Sequence, residues 1–372
     1  MSKRAIFEEV AEPRPSAPVA GPRERPPWRR GIALWLWLLA LLVAVMVLVG
    51  GLTRLTDSGL SITVWDPVMG SIPPLSQADW DAAFAAYQGT TEFQQQNHWM
   101  TLADFKPIYW WEWGHRQLGR LIGAVWLIGV LVFLAAQRIP SGWTGKLILP
   151  GALGGLQGAI GWWMVTSGLD KLDVASYRLA IHLGLAFVIL ALLIWYALKV
   201  RLDPVALLQA RRRRAGAALG WTGALGLLVF AQILVGALVA GIDAGRSYVD
   251  WPLMQGQWFP EDAMAIEPLW RNFFESPGLV QFVHRVLGYL VVVVALVAAW
   301  RLAAARVPGL TQRGLIMAGI VLAQVVLGIV TVMHAAPLHL ASMHQAVALL
   351  LVGVLLLTRF RAAYPPATSL RA

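Results

Sequence analysis

Residues 48–74, LVGGLTRLTDSGLSITVWDPVMGSIPP, run parallel to residues 234–260, LVGALVAGIDAGRSYVDWPLMQGQWFP. At a constant offset of 186, Gly50 meets Gly236, Asp57 meets Asp243, Gly59 meets Gly245, Ser61 meets Ser247, Trp65 meets Trp251, Gly70 meets Gly256 and Pro74 meets Pro260. An ungapped match of this kind is the mark of an internal repeat. Each copy begins at the end of a long apolar run, so the repeated unit is a set of membrane helices followed by a polar loop.

Working outward, the two halves keep matching. HRQLG at 115–119 pairs with HRVLG at 284–288, and Gln157 and Gly161 pair with Gln324 and Gly328. His182 and His344 each sit just inside the start of the last helix of their half. The apolar runs span about 31–51, 109–136, 147–167, 178–198, 216–241, 279–300, 314–334 and 341–358. Crossing a bilayer takes ~20 helical residues, and backbone polar groups in lipid must be satisfied within the helix itself. The expected fold is an all-α polytopic membrane protein, with eight transmembrane helices in two pseudo-symmetric four-helix bundles. Four helices per unit give both halves the same polarity, a parallel repeat rather than an inverted one.

Composition agrees with this class. Of 372 residues, 58% are hydrophobic, 13% are charged and 19 are Trp; mean hydropathy is +0.62. With no Cys, disulfides, iron–sulfur clusters and thiolate ligation are excluded. The net charge of +10 is not a nucleic-acid footprint, because 21 of the 30 Lys and Arg fall in segments on one side of the predicted spans, and 14 of the 20 acids fall in the opposite loops. That asymmetry places both termini in the cytoplasm, with the basic residues facing anionic lipid. Residues 1–30, rich in Pro and Arg, read as a disordered cytoplasmic tail; Glu8, Glu9 and Glu12 argue against a mitochondrial leader. The domain scheme is then an N-terminal bundle at 31–198, a basic linker at 199–215, a C-terminal bundle at 216–358 and a tail at 359–372. A bacterial inner membrane is the expected location.

Ionisable residues within membrane spans are costly and usually functional. His115 and His182 in the first half, and His284 and His344 in the second, fall near the outer ends of their helices. Two histidines on facing helices of a bundle hold a heme iron on both axial sides. A lone histidine of this kind is as easily a hydrogen-bonded core residue; four at repeat-equivalent positions favour a heme site in each half. Zinc competes poorly without Cys or clustered carboxylates. Arg116 and Arg285 follow the first histidines, where heme propionates are expected, although snorkelling at a helix end explains them equally well. Gly119 and Gly288, one turn on, suit either a flat macrocycle or close helix packing. His98, His334 and His339 have no repeat partners and read as surface residues.

The halves differ three residues before the first histidine, where Glu112 faces Gln281 across the repeat. A carboxyl there can exchange a proton near the pocket while an amide cannot. Pairing with Arg116 at the membrane edge is an equal alternative. The outer loop 52–108 is long and aromatic, with an amphipathic stretch from Asp79 to about Phe93, and is placed to cap the N-terminal pocket.

The strings GGLTRLTDSGLSITVWDPVMGSIPPLS, NHWMTLADFKPIYWWEWGHRQLGRLIG, DWPLMQGQWFPE, NFFESPGLVQFVHR and MHQAVALLL resemble heme A synthase, in the form found in alphaproteobacteria and mitochondria. The likeness covers roughly 31–358; the loop cysteine pair of the other bacterial form is missing. The resemblance implies an oxidoreductase that converts the C8 methyl of heme O into the formyl group of heme A. It implies heme b as cofactor on His284 and His344, the substrate heme at His115 and His182, and Glu112 as the acidic residue needed for chemistry. Heme O synthase and an electron-transfer protein are the implied partners. A dihaem electron carrier would place one heme toward each face, and a heme transporter would need an alternating-access path; neither suits two histidine pairs on one side.

Overall fold

A computed structural model describes residues 27–66 and 69–366, and it is helical throughout, with one isolated β-bridge, Met254–Gln257, among the described residues. The expected tail at 1–30 lies outside them up to residue 26, as do residues 367–372 of the expected C-terminal tail.

The helices are α1 (Pro27–Leu55), α2 (Gln77–Gln88), α3 (Leu102–Ala135), α4 (Thr144–Thr166), α5 (Ser176–Val200), α6 (Pro204–Arg212), α7 (Gly216–Gly241), α8 (Asn272–Glu275), α9 (Pro277–Ala304), α10 (Leu310–Met333) and α11 (Leu338–Ala363). Seven of them, α1, α3, α5, α7, α9, α10 and α11, are long and apolar enough to cross a membrane. The segment expected as an eighth span is α4, a helix of 23 residues that is not among these seven. It carries Gly151, Gly154, Gly155, Gly158, Gly161 and Gln157 among its apolar residues. Leu127, Ile128, Leu131 and Val132 of α3 and Leu34, Leu38 and Leu41 of α1 point outward and exposed. An apolar surface of this extent belongs against lipid.

Helix starts follow ordinary capping chemistry. Thr101 and Asp104 form a capping box at α3. Ser76 and Asp79 do the same for α2, and the Ser276 side chain accepts from Leu279 N where Pro277 opens α9. At 34 residues and ~1.5 Å per residue, α3 overreaches a ~30 Å hydrocarbon layer. Its first turns stand clear of the membrane and carry the outer loop: Tyr87, Phe105, Ile108 and Tyr109 form a buried cluster with Phe84, Phe93 and Trp80 around it. The amphipathic stretch expected from Asp79 is α2, beginning two residues earlier. The loop crosses to the α4–α5 turn, where Thr91 N donates to Leu169 O at 3.4 Å.

Helix α1 packs on α3 and α5, and α4 packs on α3 and α5; the same ring recurs with α7 on α9 and α11, and α10 on α9 and α11. No extensive packing joins α3 to α5 or α9 to α11. The two rings meet chiefly through α5 on α7, with α11 resting on α1 and α5. One core is centred on Leu36, Leu39, Leu193 and Ala197, the other on Leu225, Ala295, Leu302 and Met317.

Candidate functional site

The four histidines come from the helices that do not pack together: His115 on α3 and His182 on α5, His284 on α9 and His344 on α11. Each ring sits on a glycine of the neighbouring helix. A Cβ placed on Gly50 of α1 would lie 2.9 Å from His115 Cε1, and one on Gly161 of α4 would lie 3.1 Å from His182 Cε1. In the second half, Gly236 of α7 stands 3.1 Å from His284 Cε1 and Gly328 of α10 stands 3.0 Å from His344 Cε1 on the same measure. A larger residue at any of the four would make the imidazole shift, by a few tenths of an ångström or more. Gly50 and Gly236 are repeat equivalents, as are Gly161 and Gly328, so the seat is part of the repeated design.

A second device holds the backbone behind three of the rings. Gln157 Nε2 donates to His182 O, Gln232 Nε2 to His284 O and Gln324 Nε2 to His344 O, each at 2.9 Å. Behind His115 the position equivalent to Gln232 is Met46, which has no donor. The rings are half-buried, enclosed by helices yet retaining accessible surface. His182 lies within Coulombic range of His115, and His284 within that of His344. The Nδ1 atoms of His115, His182 and His344 are buried without a hydrogen-bond partner, as are Oε1 of Gln157, Gln232 and Gln324. Unmatched buried polar atoms cost ~1–3 kcal/mol each, and a bound group would supply partners that the protein does not. Among the described residues no group of three or more His, Asp or Glu converges. Paired imidazoles across a slot suit an iron whose other four ligands come from a macrocycle.

Glu112 lies one turn above His115 and is 3% exposed. Its Oε2 accepts from Ser61 Oγ at 2.8 Å and Ile62 N at 2.7 Å. Its Oε1 accepts from Arg116 Nε at 3.1 Å and Nη2 at 2.5 Å. Arg116 also donates to Val64 O at 3.0 Å and Ile62 O at 2.7 Å. The C-terminal half repeats this clamp with an amide. Gln281 Nε2 donates to Ala244 O at 2.8 Å and Tyr248 O at 3.2 Å. Its Oε1 accepts from Arg285 Nη2 at 2.9 Å, and Arg285 also donates to the carbonyls of Tyr248, Asp250 and Leu253. Both arginines therefore tie the outer loops to the helix ends. Of the two, Arg285 keeps one buried donor, Nε, without a partner.

A Cβ placed on Gly119 or Gly288 would meet Met46 Cε or Gln232 Nε2 at 3.5 Å, an ordinary contact, so both glycines face a neighbouring helix. His98, His334 and His339 are exposed, as expected for surface residues. One group escapes sequence reasoning altogether. In the outer loop, Tyr87 Oη donates to Glu92 Oε1 at 2.7 Å, and Asn97 Nδ2 donates to Tyr87 Oη at 2.8 Å. Burial pushes the Glu92 carboxyl up to about 7. Nothing in its local sequence announces a buried acid. The seats Gly50 and Gly236 were visible only as repeat matches, without a contact to assign them, and Gln232, opposite Met46 in the repeat, was not singled out at all.

Residues 33–356 match the COX15-CtaA family, described as a cytochrome oxidase assembly protein. The chain is similar to a protein of Roseobacter denitrificans, 56% identical over 304 residues, which is 80% of each chain. It is 55% identical over 377 residues to one of Dinoroseobacter shibae, covering 99% of this chain and 98% of that one. A third, from Paracoccus denitrificans, is 53% identical over 307 residues, 81% of each. All three bear the name heme A synthase.

Proposed function

The chain belongs to the COX15-CtaA family of cytochrome oxidase assembly proteins, and from that premise we propose that it is a heme A synthase, an oxidoreductase acting on the C8 methyl of heme O to give heme A. The observation that carries the reading is the pair of glycine-seated histidine slots, alike in frame and unlike at one position, Glu112 against Gln281. His115 and His182 would bind the substrate heme, and His284 and His344 would hold heme b. When bound, heme b would supply a redox centre for oxidation of the methyl group. The protein's own residues do the rest. Gly50, Gly161, Gly236 and Gly328 make room for the Cε1 edges of the rings, and the glutamines hold three of the histidine backbones. The loop clamped by Glu112 and Arg116 closes the outer end of the substrate pocket. Glu112 is the group there that can take or give a proton, and Arg285 Nε is the donor left for a heme propionate.

This reading counts α4 as the eighth span. It is flanked by two helices that cross, and it carries the seat of His182. It makes the molecule two parallel four-helix bundles in the bacterial inner membrane, with both termini cytoplasmic. Its partners are heme O synthase as the source of substrate and an electron-transfer protein.

The test is to identify the hemes extracted from the wild type and from His284→Met and His115→Met. Heme b together with heme O or A in the wild type, with heme b lost only on the His284 change, is the expected result. Heme b alone at both sites would make the protein a dihaem electron carrier instead.

A further inference from the structure

The residue after the second histidine of each half packs against the other half. Gln345 follows His344 on α11; its Nε2 donates to Val47 O of α1 at 2.9 Å. Its carboxamide also fills the space that a side chain on Gly51 would need. Gly51 follows Gly50, on which the His115 ring is seated. His344, Gln345, Gly51, Gly50 and His115 thus form a continuous path from a ligand of one slot to a ligand of the other. It consists of two peptide steps, one side-chain contact across the halves and one ring contact.

The repeat supplies an internal comparison. After His182 stands Leu183, and after Gly236 stands Ala237; Leu183 packs into the apolar cluster that holds Ala237, Leu238 and Val280. One crossing is therefore apolar and the other carries a buried amide. A leucine makes the apolar crossing at no polar cost, whereas an amide inside a membrane bundle must find a partner or forfeit several kcal/mol. Packing alone does not call for glutamine at 345.

We infer that Gln345 is a positioning residue that couples the two slots. By pinning α1 to α11 it fixes Gly50, and so the His115 ring, relative to His344. The state of the group held by His284 and His344 is thereby felt at the slot of His115 and His182. This rests on the reading that each slot holds a heme, and it adds to that reading a specific link between them.

The experiment uses full-length protein in detergent and follows the midpoint potential and low-spin resonance of the heme held by His284 and His344. Both are read with the other slot filled and with that slot emptied by His115→Ala. In the wild type, emptying the slot shifts both signals. In Gln345→Leu the two hemes remain bound and the shift is lost. Gly51→Ala alone expels heme from the His115 slot, and Gly51→Ala with Gln345→Leu, which copies the Ala237–Leu183 crossing, restores it without restoring the shift. Where Gln345→Leu alone does not accumulate, the double variant carries the comparison. A shift of full size in Gln345→Leu or the double variant, no shift in the wild type, or no rescue by the double change each overturns the inference. A wild type without heme in both slots overturns the underlying reading instead.

Discussion

Glu112 is where a catalytic role and an architectural one diverge, and two substitutions separate them. Glu112→Ala strips Arg116 of its carboxylate at a site where the two side chains are 14% and 4% exposed. Breaking a buried pair in this way costs about 3–5 kcal/mol. Glu112→Gln keeps an oxygen for Arg116, as Gln281 does for Arg285. It turns an amide toward Ile62 N, a mismatch that costs about 1–3 kcal/mol. On stability the order is therefore wild type, Gln, Ala, read by thermal melting and by protease sensitivity of residues 56–101. On catalysis the two variants fall together, because neither side chain carries an exchangeable carboxyl proton. A positioned acid or base contributes about 100- to 10,000-fold. The assay is heme A formed per heme b in isolated membranes, with heme b content measured alongside. The expected result is a Gln variant that keeps heme b and most of its stability yet forms heme A at least ~100-fold more slowly. Product formation within a few-fold of wild type would refute the proton role and leave Glu112 as a loop clamp.

Gly236→Ala should expel heme from the His284 slot and Gly50→Ala from the His115 slot, because the new methyl meets the ring at 3.1 and 2.9 Å; Gly59→Ala, with nothing within 4 Å, is the control. Pyridine hemochrome spectra of the three purified variants read this directly. The Glu92 carboxyl, raised to about 7 from 4.5, binds its proton more tightly folded than unfolded. Its contribution is fully present below about pH 4.5 and is lost as pH rises through about 7, at most roughly 3 kcal/mol. Proteolysis of the outer loop should accelerate across that window in wild type and not in Glu92→Gln. Arg54 joins Asp57 at 2.7 Å, Asp243 at 2.9 Å and Asp173 at 3.5 Å, with the acids 35–48% exposed. Arg54→Ala leaves three carboxylates facing one another across the halves, and melting should drop by an amount that shrinks in high salt.

Much of this molecule was legible because its determinants are periodic or repeated. Helix placement follows from apolar runs that only lipid tolerates. The four histidines stand out because charge-capable residues are rare in such runs and these four recur at matched positions. What the sequence concealed depends on side-chain direction. Arg116 and Arg285 stand beside the histidines in the chain, yet their guanidiniums turn to the loop carbonyls, since an arginine at a helix end takes whichever acceptors the loop brings to it. Gly119 and Gly288 share a helix face with the histidines, but a side chain covers the turn before its own Cα, and these glycines ended against Met46 and Gln232. The ring seats lay on other helices, where Gly50 and Gly161 were paired with their repeat mates but not with a histidine. Helix α4 shows a different limit. It is not among the seven helices long and apolar enough to cross, yet its Gly161 leaves room for the His182 ring.

The two halves share a helical frame while most of their residues differ, and three of the differences fall beside the histidines. Glu112 replaces an amide in an otherwise matching clamp, and Met46 stands where Gln232 backs His284. Gln345 crosses to Gly51 where Leu183 crosses beside Ala237. All three leave the helix packing intact, because each side chain is close in size to its counterpart. They alter proton capacity, the restraint behind His115, and the polarity of the link between slots. A duplicated bundle that bound two identical groups would gain nothing from these differences. A bundle that holds one group firmly and admits another for reaction needs a firmly backed slot, a less restrained one, and a defined path between them. Replacing Met46 with Gln tests this directly: it should give His115 O the donor that the other three histidines have, and slow exchange of heme from the substrate slot. If exchange from that slot is unchanged, the looser backing of His115 is incidental to its role.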